Sequence, residues 1–112
     1  MELLTVERRD EGRWAVLRLV GQLDVATAPR LRQALQEAQY GGARHVVLDV
    51  GALQFLDSFG LGVLVGGLRR ARLNGAQFAV AGAGPRIREI FTVTGLDAAF
   101  RLVAEVGEVT AG

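Results

Sequence analysis

The run HVVLDV at residues 45–50 constrains this chain most. It is short and nearly unbroken in apolar residues, and it lies between two stretches whose apolar residues recur at helical spacing. A half-buried antiparallel strand would alternate apolar and polar residues. An unbroken run of this length suits a strand covered on both faces, as parallel strands are when crossover helices pack on them. The chain is therefore expected to be an α/β protein.

The flanking segments agree. Upstream, Leu31, Ala34, Leu35 and Ala38 fall at i, i+3, i+4 and i+7. They predict an amphipathic helix over 28–40, with Thr27 as N-cap, Pro29 in the first turn and Gly41-Gly42 as the stop. Downstream, Leu61, Leu64, Val65 and Leu68 repeat the pattern from Ser58 onward. Arg69, Arg70 and Arg72 suit the last turns of that helix, and Asn74-Gly75 ends it. Residues 3–8 and 13–20 read as a hairpin around the polar turn Asp10-Glu11-Gly12. Residues 51–57 read as a loop and 77–81 as a strand. Pro85 starts a short helix carrying Ile87, Ile90 and Phe91, which ends at Gly95-Leu96, and 101–106 read as the last strand. The tail GEVTAG is expected to be too short and glycine-rich for a further helix. The order is β-β-α-β-α-β-α-β, in one domain spanning 1–112. Right-handed crossovers then give a mixed β-sheet with helices packed on it.

Composition narrows the chemistry. All 13 basic residues are Arg, so no mechanism can use a lysine, neither a Walker P-loop nor a Schiff base. Cysteine is absent and His45 is the single histidine, which excludes thiol catalysis, disulfides and histidine-rich metal sites. A net charge of +1 is too small for a general nucleic-acid binder. No apolar run reaches membrane-spanning length, and the opening MELLTVERRDEG lacks the order of a signal peptide. The expectation is a cytoplasmic protein with no cofactor, no metal, no direct nucleic-acid contact and no membrane insertion.

In open α/β sheets function gathers beyond the carboxyl ends of the strands. The segments Gly21–Thr27 and Gly51–Ser58 leave such ends, so Asp24, Thr27, Asp57 and Ser58 are expected on one rim. Ser58, the sole serine, lacks the G-x-S-x-G setting of a hydrolase nucleophile, and His45 opens a strand at the far end. Gly60, Gly62 and Gly66 are spaced G-x-G-x-x-x-G, unlike the dinucleotide fingerprint. Asp49 has neither the acidic pair nor the lysine of a phospho-aspartate receiver. No catalytic residue is assigned. The glycines Gly60, Gly62, Gly66 and Gly67 each cost about 1 kcal/mol against Ala inside a helix. Either tight packing on the sheet or the approach of another backbone offsets that cost, and the sequence leaves both open. Ser58 itself reads as an N-cap at the positive end of a helix dipole, where a phosphate is tolerated.

Three segments in order carry a resemblance: GQLDVATAPRLRQAL, then DSFGLGVLVGGLRRAR after the VVLDV run, then FTVTGLDAAFRL. Together they resemble the STAS family (sulfate transporter and anti-sigma factor antagonist domains), and among these the single-domain anti-sigma factor antagonists. The resemblance implies a STAS-like sheet and a binder, not an enzyme. Such an antagonist, when unphosphorylated, binds an anti-sigma factor that is also a serine kinase, and so releases a sigma factor. The kinase, which binds the ATP, phosphorylates the serine of the D-S-x-G motif, here Ser58, and the complex separates. A PP2C-type phosphatase resets the switch. Asp24 maps near the phosphosite. The expected partner surface comprises Asp24, Thr27, Asp57, Phe59, Gly60, Leu61, Gly62, Gly66 and Arg69. Two departures stand out: Phe59, where small polar residues are common, and the absence of the final family helix. The alternatives are a non-switching STAS module in a lipid-transport or signalling complex, with Arg69, Arg70 and Arg72 as contacts, and a small-molecule or nucleotide sensor at the same rim.

Overall fold

The computed structural model describes residues 3–40 and 44–111. Strands β1 (Leu4–Glu11) and β2 (Trp14–Leu23) form an antiparallel hairpin, followed by α1 (Ala28–Gln39), β3 (His45–Leu56), α2 (Ser58–Leu73), β4 (Phe78–Ala81) and α3 (Pro85–Val93). A 3-10 turn (Leu96–Ala98), β5 (Arg101–Val103) and α4 (Gly107–Thr110) complete the order. The five strands lie side by side in sequence order, with every pair after the hairpin parallel. The predicted order of strands and longer helices is observed.

The alternation of Cβ directions divides the core. Ala15, Leu17 and Leu19 of β2, Val46 and Leu48 of β3, and Phe78 and Val80 of β4 face one side, where Leu31, Leu35, Leu64, Leu68, Ile87 and Phe91 of α1, α2 and α3 cover them. The other side carries a smaller cluster of Trp14, Val16, Val47, Ala79 and Ala81, capped by Val109 of α4. This two-sided burial is why HVVLDV and WAVL read as unbroken apolar runs. At about 1.5–3 kcal/mol per buried large apolar side chain, the helix-covered face dominates stability.

Three local expectations fail. The hairpin turn is Gly12-Arg13, with Glu11 paired to Trp14 and Gly12 at φ +60°; Asp10 and Glu11 remain in the strand. Residues 51–57 are not a loop. β3 continues to Leu56 and keeps its pairing with β2 through Val20↔Ala52 and Leu23↔Leu56, across register shifts after Arg18 and Gly21. Gly21 and Gly51 look like strand breakers, yet they serve a bulged pair. Gly21 holds φ +116°, and a Cβ there would run into the Leu3 carbonyl. Third, β5 stops at Val103, and the tail does fold into one helical turn, α4. The Glu108 carboxylate reaches back to accept from the Glu105 amide at 2.7 Å, which ties this turn to the residues just before it. Thr27 stands at the N-cap of α1 as expected, although its side chain makes no cap bond. The expected stop of α1 at Gly41-Gly42 lies outside the described residues; the helix ends at Gln39 with Tyr40 extended.

Candidate functional site

The extended β2 and β3 carry the chain to one rim, at the carboxyl ends of the parallel strands. Asp57 follows β3 directly, and its amide donates to the Leu23 carbonyl at 3.2 Å. Its carboxylate does two things. Oδ1 accepts from the amides of Phe59 and Gly60, both at 3.0 Å, and so caps α2. Oδ2 accepts from the Val25 amide at 3.2 Å, in the turn before α1. One carboxylate thus ties the start of α2 to the β2–α1 turn, and two charge-assisted cap bonds stabilise the helix end.

The β2–α1 turn is built by Asp24 and Thr27. Asp24 Oδ1 accepts from the amides of Ala26 at 3.0 Å and Thr27 at 3.1 Å. The Thr27 hydroxyl accepts from the Asp24 amide and donates to the Gln22 carbonyl at 2.9 Å. Thr27 therefore points back into the turn. Its hydroxyl is used there, which explains why it makes no side-chain bond to the amides of α1.

Ser58 is not the N-cap. Asp57 holds that position, and Ser58 is the first helical residue, exposed. Its side chain takes part in no hydrogen bond among the described residues. Asp24, Thr27, Asp57 and Ser58 share one rim, as the sequence suggests.

The glycines of α2 divide into two kinds. A Cβ on Gly60 would meet Leu23 Cγ at 2.5 Å and Leu56 Cδ1 at 3.0 Å, and one on Gly67 would meet the Phe78 ring at 2.8 Å. These two allow close packing on the sheet. Gly62 faces open space, and Gly66 has only the Arg70 guanidinium, at the ordinary contact distance of 3.6 Å. Nothing inside the molecule requires glycine at these two positions.

The remaining predicted site residues separate by burial. Phe59 is exposed at 60 % and Arg69 is exposed. Thr27, Gly60 and Leu61 are buried, so they shape the rim from beneath and present no side chain to a partner. Two further arginines are held by hydrogen bonds within the molecule, Arg70 half-buried and Arg72 exposed. Arg70 Nε donates to Gln39 Oε1 at 3.0 Å, while Gln39 donates to the Gly67 carbonyl at 2.9 Å. Arg72 donates to the Ala99 carbonyl at 3.2 Å. The sequence did not single out Val25, exposed at 58 %, or Phe55, at 46 %. The available signal was a valine inside the polar turn Asp24–Thr27 and a phenylalanine two residues before Asp57. His45 is separated from Ser58 by the length of β3, so the two cannot act as a nucleophile–base pair. Among the described residues no helix is long and apolar enough to cross a membrane.

A sequence profile described as the STAS domain matches residues 5–109. The anti-sigma-B factor antagonist of Staphylococcus aureus (strain NCTC 8325 / PS 47) is 30 % identical over 93 residues, covering 83 % of this chain and 86 % of its own. The crystal structure of an anti-sigma factor antagonist from Mycobacterium paratuberculosis superposes with a TM-score of 0.85 at 30 % identity, over 94 % of this chain and 89 % of that one. The Bacillus cell fate determinant SpoIIAA in its phosphorylated form shares the fold, with a TM-score of 0.71 at 24 % identity over 94 % of each chain.

Proposed function

The chain belongs to the STAS domain family, and from that premise we propose that it is an anti-sigma factor antagonist switched by phosphorylation at Ser58. In the unphosphorylated state it binds an anti-sigma factor that is also a serine kinase, and the sigma factor is released. The contact surface is the outer face of α2 and the adjoining turn: Phe59, Val25, Gly62, Gly66 and Arg69, with Asp24 and Asp57 at its edge. The kinase carries the ATP. Ser58 Oγ attacks the γ-phosphorus, an O–P bond forms, ADP leaves, and the hydroxyl proton passes to a base of the kinase. A PP2C-type phosphatase hydrolyses the ester and resets the switch. The protein is a substrate and a binder in the cytoplasm, with no catalytic step of its own.

One observation carries this reading: the exposed Ser58 residue, whose side chain makes no hydrogen bond among the described residues, opens the helix whose outer face is bare at Gly62. A phosphoserine adds nearly two negative charges. The amides of Phe59 and Gly60 are already taken by Asp57, so the phosphate gains little from the cap and stands beside an existing carboxylate. Its effect is repulsion and bulk at the contact surface, with the fold left intact. The test is incubation with the cognate anti-sigma factor and ATP, followed by intact-mass measurement. One added phosphoryl group, absent from Ser58→Ala, is expected. Tight binding with no phosphoryl transfer would favour the second reading, a non-switching STAS module in a transport or signalling complex, for which the same apolar face suffices.

A further inference from the structure

A second concavity lies at the opposite end of the molecule, where the parallel strands begin. It has a volume of about 440 Å³ and is lined by Trp14, His45, Gln77 and Arg101, which stand at or beside the starts of β2 to β5, together with Arg13 and the turn of α4. That volume is in the range of small-molecule sites, roughly 300–1,000 Å³. We infer that this groove binds a small organic anion, a monocarboxylate borne on a flat ring.

The flat component follows from the floor. The Trp14 and His45 rings lie 5.1 Å apart at 49°. His45 is fixed in place because Nδ1 accepts from the Gln77 amide at 2.9 Å. Trp14 is only 7 % exposed, so it backs the half-buried His45 ring, and that rigid ring favours a planar ligand through edge and offset contacts.

The anionic component follows from how the charges around the groove are already used. Glu11 is paired with Arg9 at 2.6 Å, and Glu108 holds the Glu105 amide. Both carboxylates are occupied. The cations are less so: Arg101 Nη1 donates to the neutral Gln77 Oε1 at 3.1 Å, and Arg13 makes no ion pair among the described residues. Burial, and then the Arg13 guanidinium, hold the His45 pKa below its usual 6.5, so the ring beside these arginines is favoured in its neutral form. A guanidinium fork matches a carboxylate in shape and charge.

The experiment uses Trp14, the only tryptophan, as its reporter. The ¹⁵N-labelled protein is titrated with sodium benzoate at constant ionic strength, following the Trp14 indole N–H and the Gln77 amide. A saturable shift at both, with the Phe59 amide unmoved, is expected. In the Arg13→Ala/Arg101→Ala protein the spectrum stays dispersed and the affinity falls about tenfold or more. Should the double variant unfold, Arg13→Gln on the exposed hairpin turn is expected to weaken binding about threefold. Shifts that never saturate, an affinity unchanged by these substitutions, or equal binding of acetate or inorganic phosphate would each overturn the inference.

Discussion

The inner and outer faces of α2 use glycine for different reasons. On the inner face Gly60 and Gly67 let the helix lie close against Leu23, Leu56 and Phe78. On the outer face Gly62 looks onto open space, and a Cβ on half-buried Gly66 would make only an ordinary contact with the Arg70 guanidinium at 3.6 Å. All four carry the same helix-propensity cost, about 1 kcal/mol each. Packing offsets it for the first pair. For the second pair no packed side chain does, and the proposed partner surface would supply the offset. One helix thus separates glycines that packing requires from glycines that no internal contact requires.

Substitution along α2 is the direct way to break this comparison. The largest effect is expected at the inner positions. Gly60→Ala and Gly67→Ala each force a methyl group into packed side chains and are expected to destabilise by about 1–3 kcal/mol, read as a fall in denaturation midpoint. An unchanged midpoint at either would remove the packing explanation. Next in size is Phe59→Ala, which leaves stability within about 0.5 kcal/mol and weakens partner binding by about 2 kcal/mol, as an exposed aromatic anchor does. Gly62→Ala is the sharpest case. It is expected to stabilise the isolated protein by up to about 1 kcal/mol while lowering partner affinity, so the two readouts move in opposite directions. A stabilised variant with full affinity would mean that the open face is unused.

The smallest effect lies at the far end of the sheet. His45 has its pKa lowered, chiefly by burial and then by Arg13. The fold therefore favours the neutral ring. The stability this contributes is present above the unfolded value near 6.5 and is lost as pH falls through the lower folded value. Protonation also turns Nδ1 from acceptor to donor against the Gln77 amide. Chemical denaturation of wild type and His45→Gln at about pH 7.5 and about pH 5 should show the wild type losing more stability on acidification. Parallel losses would mean that other groups govern the acid limb.

The sequence made the helices legible because their ends carry local chemistry: Pro29 within α1, and Asn74-Gly75 after α2. It misled where one residue type serves two purposes. Gly21 and Gly51 read as strand ends, but pairing between β2 and β3 runs past them through a bulge, and that extension brings Leu23 and Asp57 into contact. Asp57 and Ser58 are adjacent and both are good cap residues. The carboxylate takes the cap because it accepts two amides and still has an oxygen for Val25. This choice leaves the serine exposed and its hydroxyl unused, a feature no local pattern decides. The tail was misread for a similar reason: Gly107 looks like a breaker, whereas Glu108 ties down a turn that lays Val109 on the second face. Burial of Thr27, Gly60 and Leu61 depends on tertiary packing and could not be read from spacing alone.

The central claim is that Ser58 controls binding without contributing to folding. The most direct measurement is the affinity of wild type, Ser58→Ala and Ser58→Asp for the cognate anti-sigma kinase by titration calorimetry, with a denaturation curve for each protein. The account predicts three similar denaturation midpoints, equal affinity for wild type and Ser58→Ala, and binding weakened about a hundredfold or more in Ser58→Asp. Equal affinity for all three proteins, or unfolding of Ser58→Asp, would contradict it.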